Sequence, residues 1–267
     1  MHRRIVPRKS LGQNFLIDGN IAGKIVELAK ISADDLIIEV GPGQGILTQF
    51  FLTRAAPIVA IELDSRCVAI LKDKFGGHER LTILNQDFLE FDFDSLDYTG
   101  RQVKLVGNLP YHITSSVFFR LLAVAPLIGR AVFMIQKEVA QRIVSAPGGK
   151  EFGILAVLLQ TFYEVKLQFL VSRLVFRPVP KVDSAVISLE RRGDFQLGCA
   201  MMSYQKLIKR AFNQRRKLLR NALQSLIDRP TMEQLSFDFN RRAEQVPIEE
   251  WVNLCRQLEQ REILLPG

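Results

Sequence analysis

Cysteine is scarce and scattered: Cys67, Cys199 and Cys255 are the only three in 267 residues, with no C-x-x-C pair among them. An odd count at such spacings suits neither a disulfide framework nor a zinc site, so a reducing compartment and no bound metal are expected. Long apolar runs are missing too. No stretch free of charged residues reaches the roughly 18 residues of a membrane span, and the opening MHRRIVPRKSLGQNF is basic without the apolar core of a signal peptide. The chain reads as soluble and cytoplasmic, with no membrane partner. Internal repeats and low-complexity tracts are absent. With 48% hydrophobic and 24% charged residues, disordered, collagen-like and coiled-coil classes are excluded.

What the chain has in excess is positive charge. Lys and Arg number 36 against 28 Asp and Glu, a formal net charge of +8, and the pI is near 9.6. Such a balance favours a polyanionic partner, because each phosphate neutralised releases condensed counterions. The excess is concentrated. The run SYQKLIKRAFNQRRKLLR (203–220) carries seven basic residues, Lys206, Lys209, Arg210, Arg215, Arg216, Lys217 and Arg220, and no acidic one. Solvated helix faces usually intersperse acids; their absence here points to RNA phosphate. Arg3, Arg4, Arg8 and Lys9 add a basic segment at the other end of the chain.

A length of 267 residues predicts one or two domains. From residue 36 to about 190, β-branched runs alternate with helical patterns, the signature of βαβ units and a mainly parallel sheet. The strand candidates are LIIEV (36–40), IVAIE (58–62), LTILN (81–85), VKLVG (103–107), RAVFMIQ (130–136), FYEVKLQFL (162–170) and AVISLER (185–191). The last two, joined by a proline-rich loop without a helix, are expected to pair antiparallel at the end of the sheet. Beyond RRGDFQLGCA (191–200) the pattern is helical to the end of the sequence. The expected architecture is an α/β Rossmann-like sheet of about seven strands over residues 1–194 and a small all-helical domain over 198–267.

The first strand runs into Gly41-Pro42-Gly43-Gln44-Gly45. Glycines there permit positive φ and close approach of backbone to a ligand, but the spacing is not the G-x-G-x-x-G of dinucleotide sites. Glu62, 21 residues after Gly41 at the end of the second strand, is placed to hold both ribose hydroxyls of an adenosine ligand, and Asp87, past the third, to face adenine. A loop without the phosphate-cradling pattern suits S-adenosylmethionine better than a nicotinamide dinucleotide.

The fourth strand ends in GNLPYH (107–112) on the same edge. Pro110 biases Leu109 towards an extended backbone, leaving carbonyls of Asn108, Leu109 and Pro110 as acceptors awaiting a donor. An exocyclic base amine is such a donor. The Asn108 side-chain oxygen and a neighbouring carbonyl would orient it and stabilise the charge that develops as it attacks a methyl group, while Tyr111 would stack on the base. His112 is read as a helix-start or surface residue.

These residues stand in a series of motifs, RKSLGQNFL (8–16), EVGPGQGILT (39–48), IELD (61–64), QDFLEFD (86–92), GNLPYHITS (107–115), QKEVAQR (136–142), FRPVPKVDSAV (176–186) and AFNQRRKLLRN (211–221). Together they closely resemble the ribosomal RNA adenine N6-dimethyltransferase family, specifically its KsgA/RsmA branch acting on small-subunit (16S) RNA. The resemblance implies that Asn14, Leu16, Gly41, Gly43, Glu62, Asp87 and Asn108 contact S-adenosylmethionine and that no metal is needed. It implies that Phe176 clamps a flipped adenine opposite Tyr111, although sequence alone equally allows Phe176 to be a loop anchor against the core. It also implies two adjacent adenines near the 3′ end as substrate, each dimethylated within the immature 30S subunit, by a chain expected to act as a monomer. GQNF before a helix would otherwise read as a capping signal. The competing readings are a macrolide-resistance methyltransferase acting on large-subunit RNA, a non-catalytic assembly factor and a dehydrogenase.

Overall fold

Seven strands form one sheet, side by side in the order Leu81–Asn85, Ile58–Glu62, Asp35–Val40, Gln102–Asn108, Ile128–Gln136, Ser184–Arg191 and Tyr163–Val171, in a computed structural model that describes residues 6–8, 11–98, 100–193 and 195–264. They are β2 (Asp35–Val40), β3 (Ile58–Glu62), β4 (Leu81–Asn85), β5 (Gln102–Asn108), β6 (Ile128–Gln136), β7 (Tyr163–Val171) and β9 (Ser184–Arg191). A separate two-stranded ribbon pairs β1 (Phe15–Leu16) antiparallel with β8 (Phe176–Arg177). The pairs β2–β3, β2–β5, β3–β4 and β5–β6 are parallel, and β9 runs antiparallel to β6. The two last long strands are neighbours at one end of the sheet, as the helix-free loop between them required.

Every residue of β2 is buried, which is why this strand reads as a continuous apolar run rather than an alternating one. Lys104, the cation interrupting the fourth apolar run, is only 7% exposed and pairs with the buried Asp35 at 3.6 Å, joining β5 to β2. The chain passes from β2 outward through β3 to β4, then returns to the other side of β2 as β5. That reversal opens a crevice at the carboxyl ends of β2 and β5, the place where ligands bind in open α/β sheets.

Helices α1 (Gly19–Leu28), α2 (Thr48–Phe51), α3 (Ser65–Phe75) and α4 (Thr114–Ala123) alternate with these strands. The side chain of Asp18 caps α1 and that of Asp64 caps α3. Asn14 therefore caps nothing.

The chain divides into two compact units, Met1–Ala140 with Glu164–Arg191, and Gln141–Tyr163 with Arg192–Gly267. The division is not the single cut expected near residue 194, because residues 141–163 join the second unit. Helix α5 (Lys137–Ile143) ends in that segment and α6 (Ile154–Phe162) belongs to it. The second unit also contains α7 (Met201–Asn213), α8 (Leu219–Ala222), α9 (Arg229–Gln234) and α10 (Ile248–Gln260). On α7 the buried residues Tyr204, Leu207, Ile208, Ala211 and Phe212 follow helical spacing. Phe212 meets Phe152 and Trp251 with ring centroids 6.4 and 6.3 Å apart. The Tyr204 hydroxyl lies 2.9 Å from Thr161 Oγ1 of α6, whose Ala156, Val157, Leu158 and Leu159 are buried as well.

The crevice depends on close backbone approach between β2 and β5. A Cβ on Gly107 would stand 2.5 Å from the Val40 carbonyl oxygen, a backbone atom that cannot swing aside. Gly107→Ala should therefore destabilise the chain by about 2 kcal/mol, read as a lower urea midpoint; an unchanged midpoint would show that β2 and β5 part without cost.

Candidate active site

A cavity of about 760 Å³ lies at the carboxyl edge of β2, β3 and β5. It brings together Asn14, Leu16, Gly41, Gly43, Glu62, Asp87, Asn108, Leu109, Pro110 and Tyr111, all of them site candidates from the sequence. Phe176 is absent from its lining.

The loop after β2 holds Gly41 at φ +64° and Gly43 at φ +58°. A Cβ on Gly41 would meet no atom within 4 Å, so the backbone faces open space there, whereas one on Gly43 would press on the Phe15 ring at 3.1 Å. Gly43 N–H donates to Glu62 Oε2 at 2.9 Å, and Asp64 N–H donates to Glu62 Oε1 at 2.8 Å. Burial raises the Glu62 carboxyl above the ordinary carboxylate range, and these backbone donors oppose the rise. Asp87 lines the cavity while its Oδ1 accepts from Leu89 N–H at 2.8 Å, so capping a short turn fixes its carboxylate.

Glu39, which the sequence reading passed over, also lines this cavity. Its side chain is fully buried. Oε2 accepts from Thr48 Oγ1 at 2.7 Å, and Oε1 has no partner among the described residues. Burial pushes its carboxyl up to about 8. An acid just before a glycine loop, on a strand otherwise made of buried apolar residues, was the signal that could have found it.

The N-terminal segment is tied across the β3 end. Gln13 Nε2 donates to Asp64 Oδ2 at 2.8 Å and Gln13 Oε1 accepts from Arg8 N–H at 2.8 Å. Arg66 pairs with Asp64 at 2.5 Å and donates to the Val6 carbonyl at 3.0 Å. The Arg66 guanidinium holds the Asp64 carboxyl well below its usual range. Arg8 is exposed; Lys9, like Arg3 and Arg4, lies outside the described residues.

Asn108 Nδ2 donates to the Asn14 carbonyl at 3.1 Å. With one of its two Nδ2 hydrogens bonded there, the carboxamide is oriented and offers Oδ1 as an acceptor. Leu109 N–H donates to the Met134 carbonyl at 3.1 Å, which continues the sheet by one bond beyond β5. The expectation of three waiting carbonyls is corrected at Pro110, whose oxygen accepts from Ile113 N–H at 3.2 Å and Thr114 Oγ1 at 3.3 Å as the next helix begins. The Tyr111 hydroxyl sits 2.9 Å from Ser184 Oγ, which fixes the ring, and burial raises its phenol above the ordinary value.

Phe176 departs from its expected role. It is 0% exposed, paired in register with Leu16 and packed into the hydrophobic core beneath the ribbon. Its ring offers no face to the cavity, and the next two residues, Arg177 and Pro178, line it instead. The basic run also differs from a single helix face. Helix α7 ends at Asn213 and α8 begins at Leu219, so Arg215, Arg216 and Lys217 occupy the turn between them. Arg215 is turned onto its own unit, with Glu244 at 3.6 Å and the Gly149 and Lys150 carbonyls accepting from it. Arg210 donates to Ser225 Oγ, and Arg220 to Asn240 Oδ1 at 2.9 Å. Lys206, Lys209, Arg216, Lys217 and Arg220 are exposed.

The cavity lining carries three acidic side chains, Glu39, Glu62 and Asp87, the first largely protonated, against the Arg177 guanidinium. Such walls suit a cationic adenosine ligand and oppose a pyrophosphate, and the open backbone at Gly41 leaves room for S-adenosylmethionine. Among the described residues no group of three metal-ligating side chains occurs, and no helix is long and apolar enough to cross a membrane. Fold and site together define a methyltransferase of the Rossmann-like class. A family model described as ribosomal RNA adenine dimethylase matches residues 6–260, and the chain belongs to that family. A Phocaeicola vulgatus protein named Ribosomal RNA small subunit methyltransferase A is 42% identical over 255 residues, 96% of this chain and 90% of its own. One of the same name from Cupriavidus taiwanensis is 41% identical over 97% of this chain and 95% of its own. Among solved structures, a dimethyladenosine transferase from Plasmodium falciparum superposes with a TM-score of 0.78 at 25% identity, covering 93% of this chain and 98% of its own. The 23S rRNA methyltransferase ErmE gives 0.70 at 28%, covering 92% and 100%.

The raised Glu39 carboxyl has a consequence for stability. A group whose folded value lies above its unfolded one favours the fold while protonated, so ligand-free stability should fall as pH rises from about 4.5 towards about 8. Glu39→Gln should flatten that decline, leaving the lesser contribution of Glu62. Urea midpoints at about pH 5 and pH 8 test this; equal declines in both proteins would show that Glu39 ionises freely in the fold.

Proposed function

We propose that this protein transfers methyl groups from S-adenosylmethionine to N6 of two adjacent adenines in the 3′-terminal hairpin of small-subunit (16S) ribosomal RNA. It acts on the immature 30S subunit in the cytoplasm, as a monomer. The observation that carries the chemistry is the Asn108 carboxamide, anchored by its own Nδ2 to the Asn14 carbonyl so that Oδ1 is left to accept from the target amine. The family match and the names of its relatives support the RNA substrate.

In this reading Glu62 holds the ribose hydroxyls, Asp87 and Leu16 border the adenine, and Gly41 and Gly43 present backbone to the ligand. Glu39, buried beneath the glycine loop's edge of the cavity, contributes polarity there without surface of its own. S-adenosylmethionine, when bound, supplies an electrophilic methyl group on a sulfonium. The protein's own part is to orient a poor nucleophile. Asn108 Oδ1 and the Leu109 carbonyl accept the amine's N–H bonds and stabilise the charge that develops on nitrogen. Tyr111, its ring fixed through Ser184, stacks on the base, worth about 1–3 kcal/mol. Phe176 supports the ribbon from within and does not touch the base. Since each adenine takes two methyl groups, the amine's surroundings must admit an already methylated nitrogen, which acceptor oxygens on one side of it allow.

Transfer of labelled methyl groups to undermodified small subunits, with the modified adenines mapped, tests the reading. Asn108→Ala should lower transfer at least about 100-fold while the thermal midpoint stays put; near-normal transfer would remove Asn108 from the reaction. Binding of subunits without any transfer by the wild-type protein would favour a non-catalytic assembly factor.

Among the basic residues of 203–220, Arg216 and Lys217 are exposed, unlike the inward-turned Arg215. Arg216→Ala with Lys217→Ala should weaken subunit binding and flatten its log–log salt dependence by about 1.4, from ~0.7 per single-strand phosphate contact. Arg215→Ala should instead lower the midpoint of unfolding, and an unaltered salt slope in the double variant would take this turn out of the RNA footprint.

A further inference from the structure

Three of the large apolar side chains left in solvent sit on the β1–β8 ribbon and its flanks: Ile17 at 53% exposed, Leu174 at 66% and Val179 at 46%. Three cations accompany them, Arg173, Arg177 and Lys181, all exposed. Among the described residues none of the three has a carboxylate within ion-pair distance. Asp183, the acid of this stretch, has its Oδ1 taken by Arg173 N–H at 3.0 Å.

The loop that carries these side chains is braced from within. Phe176 is fully buried beneath it, Ile17 N–H donates to the Val175 carbonyl at 2.9 Å, and Ser172 Oγ accepts from Leu174 N–H at 3.3 Å. Arg173 reaches the Lys181 carbonyl at 3.2 Å, closing residues 173–181 into a loop. Arg177 bonds the Leu174 and Phe176 carbonyls at 3.2 and 2.9 Å. Apolar side chains held in water on a braced loop, ringed by cations that lack a carboxylate partner, are an arrangement for covering the apolar face of a base and holding phosphates.

Position selects the occupant. Ile17, Arg177 and Pro178 line the catalytic cavity, so this loop forms its rim. A nucleotide whose base enters the cavity is covalently joined to a neighbour that must cross that rim. We propose that residues 172–181 with Ile17 form a second RNA-binding surface in the catalytic unit, which holds the nucleotide flanking the target adenine. Its base rests on Leu174 and Val179, and its phosphates meet Arg173 and Lys181. The inference rests on the proposed RNA substrate and assigns contacts separate from the basic turn after α7.

The experiment measures binding of the full chain to undermodified small subunits across a salt series, beside methyl transfer. Arg173→Ala with Lys181→Ala should weaken subunit binding about tenfold and make the salt slope shallower by about 1.4, with S-adenosylmethionine affinity unchanged. Arg173→Lys with Lys181→Arg, which keeps both charges, should restore affinity and slope; failure to do so would assign the loss to loop geometry and overturn the phosphate role. Leu174→Ser with Val179→Ser should weaken binding while leaving the salt slope alone. Alanine variants that bind subunits like wild type, or that lose only adhesion to phosphatidylglycerol vesicles, would overturn the proposal. If the wild-type chain itself transfers no methyl group in this assay, the functional reading fails instead.

Discussion

One buried carboxylate orders the site. Glu62 spends one oxygen on the Gly43 N–H and the other on the Asp64 N–H, so it joins the loop after β2 to the turn after β3. A carboxyl 7% exposed is costly to keep unless its oxygens are bonded, and the donors it needs are supplied by backbone that has to be in place for the cavity to exist. From Asp64 the connections run on through its cap on α3, through Gln13 to Arg8, and through Arg66 to the Val6 carbonyl. The N-terminal segment that contributes Asn14 is thus held by Asp64, the acid next but one to Glu62. Asn108 then fastens to the Asn14 carbonyl from the opposite wall.

The same wiring accounts for the sign of the cavity. Three carboxyl groups border one small space, and the fold treats each differently. Glu62 is bonded by backbone donors, Asp87 caps a turn, and Glu39 is held largely protonated by burial up to about 8. A ligand bringing positive charge gains from acidic walls, whereas a neutral one of the same shape does not. The walls are therefore better matched to the sulfonium of a methyl donor than to the uncharged thioether left after transfer, which favours exchange of the spent cofactor between successive transfers to one adenine.

The sheet was legible because β2, β3 and β5 are buried on both faces, and burial leaves an apolar run that few other arrangements produce. Glu62 and Asp87 were legible for a related reason, since an acid at the end of such a run has few places to go. What escaped involved partners distant in sequence. Glu39 is a polar residue inside an apolar strand, and only the third dimension shows that it borders a cavity and leaves one oxygen without a partner among the described residues. Pro110 has a carbonyl that the next helix start uses, which a turn-forming proline does not announce. Phe176 could be read as a base clamp or as a core anchor, and its register with Leu16 settles the placement in favour of the core. Residues 141–163 join the helical unit through contacts such as Tyr204 with Thr161, 43 positions apart, and Phe152 with Phe212, separations that no local pattern encodes.

Charge shows the limit of counting most clearly. Seven cations between residues 203 and 220 read as one basic face, yet the fold divides them. Arg215 sits against Glu244 and two carbonyls, and Arg210 and Arg220 bond side chains of their own unit. A guanidinium committed in this way stabilises a turn, and giving it to a phosphate would forfeit those bonds, so its net contribution to RNA affinity is smaller than its charge suggests. Arg216 and Lys217, on the exposed side of the same turn, carry no such cost. A helix would have spread these three residues round its circumference; the break after Asn213 instead lets one anchor the turn while its neighbours project from it.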